Sequence, residues 1–313
     1  MAGIKAIITH TDLDGVASAA LILKAVGDVD RILFAQPHQL HAVLGKISNG
    51  STVYVADLGV NPGTLEKVAN EISRIINSGG SVRWFDHHVW DYEWVSKVKE
   101  AGADLAVDTT TCGAGVVAKY FPVSGEGVEE LVSATCSIDL WLFNDWRGNY
   151  LARYVGYKEG GEWREYVARK LMNFNGEIDD EVESIAEEAV SRELRLYSKV
   201  VKEAKVGRAG EYVIAYYLKP RTEHVTSYIG NILLSRYGAD IALICREGSL
   251  SLRSRNVNVR EIAKKLGGGG HPAAAGAPIR PPLLILILAK LGLKSPLLNW
   301  CFKKVAEVIT EGR

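Results

Sequence analysis

Three short apolar runs, Ile4–Thr9, Thr52–Ala56 and Ser81–Phe85, end directly on acids and histidines: His10-Thr-Asp12-Leu-Asp14-Gly15 after the first, Asp57 after the second and Asp86-His87-His88 after the third. The runs are rich in β-branched and aromatic residues. Helical patterns follow them: the Ala-rich Gly15–Ala25, and the amphipathic Leu65–Ile76 introduced by Asn61-Pro62-Gly63. A fourth run, Asp104–Val107, precedes a Thr-rich helix start before Gly113. Strands alternating with helices predict an α/β fold whose N-terminal sheet is mostly parallel and covered on both faces. In open parallel sheets ligands bind beyond the carboxyl ends of the strands, so the three clusters converge on one crevice.

At 313 residues the chain exceeds the usual size of a single hydrophobic core. The charged, regular helix Asp180–Ala204 reads as a connector. Beyond it Tyr212–Tyr217, Ile241–Cys245 and Ser249–Ser254 read as strands around a helix at Ser227–Tyr237. The expected organisation is a catalytic domain over 1–190, a helical connector over 191–205 and a smaller α/β domain over 206–313. Hydrophobic residues at 47% and charged residues at 24% exclude a disordered chain.

Cys112, Cys136, Cys245 and Cys301 contain no C-x-x-C pair, so reduced, buried thiols are expected rather than a disulfide framework or a zinc site. Two Met and two Gln beside plentiful Glu, Lys and Arg follow the thermophile pattern. The N-terminal residues lack the pattern of a secretion signal, which predicts a cytoplasmic protein. The apolar run Leu283–Leu293 is interrupted by Lys290 and falls short of the about 20 residues a bilayer needs. It reads as a buried core element, and no membrane partner is expected. Net charge is zero overall, yet residues 246 to 313 hold 12 Lys plus Arg against 4 Asp plus Glu, a net of +8. The remainder is −8. An acidic part suited to cations and a basic part suited to an anion follow, while overall neutrality argues against a long duplex-binding groove.

Any one acid after a strand is usually a helix cap and any one histidine a satisfied interior residue. Three successive strand ends carrying both are not explained by capping. That many carboxylates in one crevice repel one another unless cations neutralise them. Mixed carboxylate and imidazole donors suit a borderline divalent ion such as Mn²⁺ better than Ca²⁺ or structural Zn²⁺. Two ions sharing a bridging carboxylate match the donor count and suit phosphoester hydrolysis. A further acid, Asp139, shares the inward face of a helix predicted over Val128–Phe143 with Val128, Leu131, Thr135, Ile138 and Leu142. It either completes the metal site or pairs with Arg147 or Arg153.

In these motifs the chain resembles the DHH phosphoesterases, in particular the RecJ-like and oligoribonuclease-like members. His10-x-Asp12-x-Asp14-Gly15 resembles their first motif, Val55-Ala-Asp57-Leu-Gly59 the second, Asp86-His87-His88 the third and Ser137-Ile-Asp139 the fourth. His10 stands two residues before Asp12, whereas many members with small-molecule substrates space it four before. Ser249–Arg255 and Gly267-Gly-Gly-Gly-His271-Pro-Ala-Ala-Ala-Gly276 resemble the family's associated substrate-binding C-terminal domain. The resemblance covers essentially the whole chain.

It implies two manganese ions, with Mg²⁺ or Co²⁺ as substitutes. His10 and Asp12 would hold one ion, Asp14, His87 and Asp139 the other, and Asp57 would bridge them. Asp86 would orient a ligand histidine, and His88 would meet the substrate phosphate, both counted as catalytic. Arg253, Arg255 and His271 would donate to phosphate, and Gly268, Gly269 and Gly270 would offer bare N–H groups to it. The implied substrate is a short single-stranded oligonucleotide or a phosphorylated nucleotide, and a homodimer stays open. Related members imply a 3′-phosphoadenosine 5′-phosphate phosphomonoesterase, a polyphosphatase or a cyclic-dinucleotide phosphodiesterase. A noncatalytic nucleic-acid-binding or replication-associated subunit is the non-enzyme alternative. Tyr228, Tyr237 and Trp300 are candidates to stack a base.

Overall fold

The computed structural model describes residues 3–220 and 226–311. It divides into two compact units, Met1–Glu187 and Glu188–Arg313. The first holds β1 (Lys5–Thr9), α1 (Leu13–Val26), β2 (Arg31–Phe34), α2 (Leu40–Leu44), β3 (Thr52–Ala56), α3 (Leu65–Asn77), β4 (Ser81–Asp86), α4 (Tyr92–Glu100) and β5 (Asp104–Val107). A helical series follows: α5 (Gly113–Tyr120), α6 (Val128–Asp139), α7 (Trp146–Val155), α8 (Gly161–Leu171) and α9 (Asp180–Glu203), which runs on into the second unit.

The sheet order is β2-β1-β3-β4-β5 and every pairing is parallel. Period-2 alternation sends Ile7, Tyr54 and Phe85 to one face, where α1 and α5 to α8 cover them, and Ile8, Val55 and Trp84 to the other, beneath α2 to α4. A strand buried on both sides needs near-continuous apolar sequence. The chain leaves β1 for β2 on one side and returns as β3 on the other. This order makes a switch point between β1 and β3, where open α/β sheets place their ligand crevice.

The second unit adds β6 (Lys205–Ala209), β7 (Tyr212–Leu218), α10 (Thr226–Tyr237), β8 (Ile241–Cys245), β9 (Ser249–Arg253), α11 (Val259–Lys265), β10 (Gly269–Gly270), β11 (Ala274–Pro278), α12 (Leu283–Lys290) and α13 (Ser295–Thr310). Its sheet, ordered β10-β11-β9-β8-β7-β6, is antiparallel except for the parallel pair β7 and β8. Val259, Ile262 and Ala263 of α11 and Leu297, Leu298 and Val305 of α13 close its core.

Four expectations are corrected. Cys112 is paired with Cys136, and Cys245 with Cys301, as disulfides, with Cα separations of 5.1 and 6.5 Å. Pairs 24 and 56 residues apart carry no sequence signature. The run Leu283–Leu293 is not core: α12 buries none of its residues, and Leu283, Leu284, Ile287, Leu291 and Leu293 are exposed. The helix predicted to reach Phe143 stops at Asp139, because the chain turns back through left-handed backbone at Trp141 (φ 62°) and Phe143 (φ 54°). Leu142, expected on the inward face, is exposed. The glycine tract is a hairpin rather than an array of bare donors. Gly267 donates to the Lys264 carbonyl at 2.9 Å and Gly268 to that of Ala263 at 2.8 Å, while Gly269 and Gly270 pair with β11. A Cβ at Gly268 would overlap the backbone of Gly276 and Ala277, so packing against β11 explains that glycine.

Candidate metal centre

The end of β1 is held by its own side chains. Thr9 Oγ1 donates to the carbonyls of Gly15 at 2.8 Å and Ala56 at 3.0 Å, tying the loop after β1 to the end of β3. Asp12 is the N-cap of α1 and accepts from the Gly15 N–H at 3.2 Å, as a lone acid after a strand would. It does more than cap, because its other oxygen lies 2.8 Å from His10 Nδ1. Gly15 is obligatory: a Cβ there would collide with the His10 backbone.

Asp14, in the first turn of α1, is fully buried and accepts two bonds of 2.7 Å from the N–H groups of Gly113 and Ala114 at the start of α5. These orphan helix donors favour a carboxylate. Asp57 leaves β3 in left-handed backbone, φ 51°, and its N–H donates to the Phe85 carbonyl at 3.0 Å. His87 follows β4 and is buried. Its Nε2 lies 3.2 Å from Asp57 Oδ1 and 3.4 Å from Asp14 Oδ2, and its Nδ1 lies 3.5 Å from Asp139 Oδ2. The donor groups capable of holding a cation include His10 with Asp12 and Asp57, Asp14 with Asp57 and His87, and Asp57 with Asp86 and His88. Asp57 is common to these three, and Asp139 adjoins the second across the His87 ring.

Electrostatics describe a centre that wants positive charge. Burial first, and then the Asp139 carboxylate, push Asp14 up to about 7. Burial with Asp14 and Asp12 drives Asp57 well above the carboxylate range, and burial also raises Asp139. Against its burial, the Asp12 and Asp57 carboxylates lift His10 to about 10. Asp57 Oδ2 and Asp139 Oδ2 are buried without a hydrogen-bond partner among the described residues. A buried, unbonded carboxylate oxygen is costly unless a cation meets it. The donor set, carboxylates and imidazoles without thiolate, fits a divalent ion of the manganese or magnesium kind.

Asp86 lies within reach of Asp57 but is bonded elsewhere. Fully buried, it accepts from His88 Nδ1 at 2.9 Å and from Trp90 Nε1 at 2.5 Å. It therefore orients His88 rather than His87. The His88 charge and hydrogen bond hold Asp86 below its usual range against burial, and Asp86 in turn raises His88 against burial. Asp139 has no ion pair with Arg147, whose guanidinium is taken by Asp145 at 2.8 Å, and Arg153 donates to the Asn149 carbonyl.

Three groups were not picked out from the sequence. Gln36 Oε1 lies 3.2 Å from His10 Nε2 while its Nε2 donates to Thr11 Oγ1 at 3.0 Å. Arg164 of α8 donates to the Thr11 carbonyl at 2.6 Å. The N–H groups of Gly113 and Ala114 complete the set. Gln36 follows β2, so recognising that strand would have placed it beside the other strand ends.

In the second unit Arg253 reaches Ser227 Oγ on α10 at 3.3 Å, and Arg255 reaches Asn231 Oδ1 on the same helix at 2.7 Å. His271 opens the turn between β10 and β11, where its N–H donates to the Ala274 carbonyl at 2.8 Å. Of the aromatic candidates, Tyr237 donates to the Val201 carbonyl and Trp300 packs against the core.

Residues 210–291 match the DHHA1 domain family. Oligoribonuclease NrnB of Bacillus subtilis (strain 168) is 21% identical over 326 aligned positions, covering 95% of this chain and 78% of NrnB. The crystal structure of Thermus thermophilus RecJ in complex with Mn²⁺ superposes with a TM-score of 0.58 at 14% identity, covering 99% of this chain and 52% of that one. The pGpG-specific phosphodiesterase PggH of Vibrio cholerae superposes with a TM-score of 0.54 at 16% identity, covering 96% and 99% of the two chains. These two structural likenesses are likenesses of fold.

Proposed function

We propose, from its likeness to the DHHA1 domain family and to NrnB, that the chain is a DHH-type phosphoesterase, a manganese-dependent phosphodiesterase of short single-stranded oligonucleotides. The observation that carries the reading is the convergence of three strand ends on Asp57, whose Oδ2 is buried and unbonded between two donor groups. In this reading His10, Asp12 and Asp57 hold one ion, and Asp14, Asp57, His87 and Asp139 the other. Bound there, the pair would activate a water and stabilise the entering and leaving oxygens of an in-line displacement at phosphorus.

The chain's own groups supply the rest. The Gly113 and Ala114 N–H groups fix Asp14, and Gln36 fixes the far nitrogen of His10. Asp86 accepts the Nδ1 proton of His88 and so fixes the orientation of that ring. Against burial, the Asp86 carboxylate raises the His88 pKa and so favours a second proton at Nε2 that would meet a phosphate oxygen. Arg253, Arg255 and His271 of the second unit would bind the terminal phosphate. Support for a very short substrate comes from relatives named for an oligoribonuclease and for hydrolysis of pGpG.

The test is hydrolysis with and without manganese across RNA and DNA of graded length, pGpG, 3′-phosphoadenosine 5′-phosphate, cyclic di-AMP and polyphosphate. Manganese-dependent cleavage fastest on the shortest RNAs is expected. Hydrolysis confined to polyphosphate or to the phosphomonoester would overturn the substrate class, and failure to bind manganese would overturn the centre.

A further inference from the structure

Of the fifteen large apolar residues exposed among the described residues, five lie in Leu283–Leu293: Leu283 at 73% exposure, Leu284 at 67%, Ile287 at 45%, Leu291 at 74% and Leu293 at 58%. The opposite side of α12 is spoken for, because Ile285 and Ala289 pack on the core of the second unit. The domain thus presents an apolar helix face outward on a fixed platform. Eight residues rise about 12 Å, far short of a bilayer, so such a helix can lie in a membrane's surface but not cross it. Consistently, no helix among the described residues is long and apolar enough to span.

The charge of the sequence flanking the helix selects its occupant. Between Glu261 and Glu307 the sequence contains no acid, yet it contains Lys264, Lys265, Arg280, Lys290, Lys294, Lys303 and Lys304. Arg280 stands just before the helix, and Lys290 and Lys294 lie at and beyond its end. Lys290 is seven residues beyond Leu283, on the same side, so its aliphatic stem can run along the apolar face with the ammonium at its edge. A second copy of this chain would bring this acid-free segment against itself across a two-fold axis, like charge on like. An anionic bilayer answers both features at once, burying leucines while its headgroups meet the cations.

We propose that the α12 face docks the protein peripherally on anionic lipid membranes. The docking is independent of the hydrolytic reading, and it replaces the expectation of no membrane partner, which took Leu283–Leu293 for core.

The experiment is cosedimentation of the full chain with vesicles of phosphatidylcholine alone and of phosphatidylcholine mixed with phosphatidylglycerol. Binding to the mixed vesicles at least about tenfold stronger than to the neutral ones, and weakened by salt, is expected. The double substitution Leu284→Asp and Leu291→Asp should weaken it about tenfold or more, while circular dichroism and hydrolysis stay unchanged because both side chains are exposed. Lys290→Glu with Lys294→Glu should remove the preference for anionic lipid. The proposal falls if neither vesicle binds or if both bind equally. It falls too if the wild type is a dimer that Leu284→Asp dissolves, which would assign the face to a second copy. Vesicle binding that short RNA abolishes and the leucine variant retains would assign it to the phosphate-binding residues instead.

Discussion

Asp86 and His88 are bound to each other, Oδ1 to Nδ1 at 2.9 Å, while His87 between them turns its ring to Asp14, Asp57 and Asp139. The triplet is thus divided into one residue facing the candidate metal donors and a hydrogen-bonded pair, which the proposed function puts on the substrate side. Asp86→Asn should lower kcat about 10–100-fold, with manganese affinity nearly unchanged. Titration calorimetry beside steady-state kinetics checks it; equal loss of both would place His88 among the ligands.

Asp57 is shared by the His10–Asp12 and the Asp14–His87 donor groups. Asp57→Asn keeps shape and backbone preference but removes the shared charge, so hydrolysis should vanish and manganese stoichiometry should fall, with the melting curve intact. Full activity in this variant would refute the metal assignment.

Without metal, the centre should make the protein less stable as pH rises. Asp14 and Asp57 titrate above their unfolded values, so the native state holds more protons than the unfolded state above about pH 4. His10, raised to about 10, contributes stability fully present below its unfolded value of 6.5 and lost as pH rises toward 10. Both terms have the same sign. The melting temperature of metal-free protein should therefore fall from about pH 5 to about pH 8. Manganese should reverse the trend, since it binds the deprotonated groups and releases their protons. Thermal shift with and without chelator reads this directly.

Gly113 lies against the centre: a Cβ there would stand 2.8 Å from Asp57 Cβ and 3.0 Å from Asp14 Oδ2. Gly113→Ala should cost about 1–3 kcal/mol by overpacking and weaken manganese binding. Denaturant melts and metal titration check the two effects, and unchanged metal affinity would show that the strand ends can move apart.

The bond between Cys112 and Cys136 joins the residue capping α5 to the helix bearing Asp139. Its 24-residue separation gives about 3 kcal/mol by loop-closure entropy. Cys112→Ala with Cys136→Ala should lose about that much in urea melts, and reductant should destabilise the wild type at least as much because it also opens the Cys245–Cys301 bond.

The parallel sheet and most of the candidate centre could be read from sequence because β1, β3 and β4 are short runs rich in apolar residues and their acids fall at or just past the strand ends. What could not be read depends on contacts between distant elements. β2 is four residues long, begins with the exposed Arg31 and sits at the sheet edge, so the strand and Gln36 beyond it left little signal. The donors to Asp14 come from residues 99 and 100 positions away. The cystines join elements whose proximity is a product of folding. Hydropathy could not tell whether Leu283–Leu293 has neighbours, and it has few. Asp12 shows the converse: the capping role and the cluster role, which sequence set against each other, coexist in one carboxylate with two oxygens.

Asp57 stands at φ 51°, a region that L residues other than Asn and Asp seldom enter. The strand end therefore accepts a very small alphabet. Replacement by alanine or glutamate must work against the backbone as well as the chemistry, whereas asparagine meets the same conformational demand without charge. If Asp57 bridges metals as proposed, catalytic competence and structural integrity at this position are separable by one functional group, and a silent, folded form of the protein lies a single amide away.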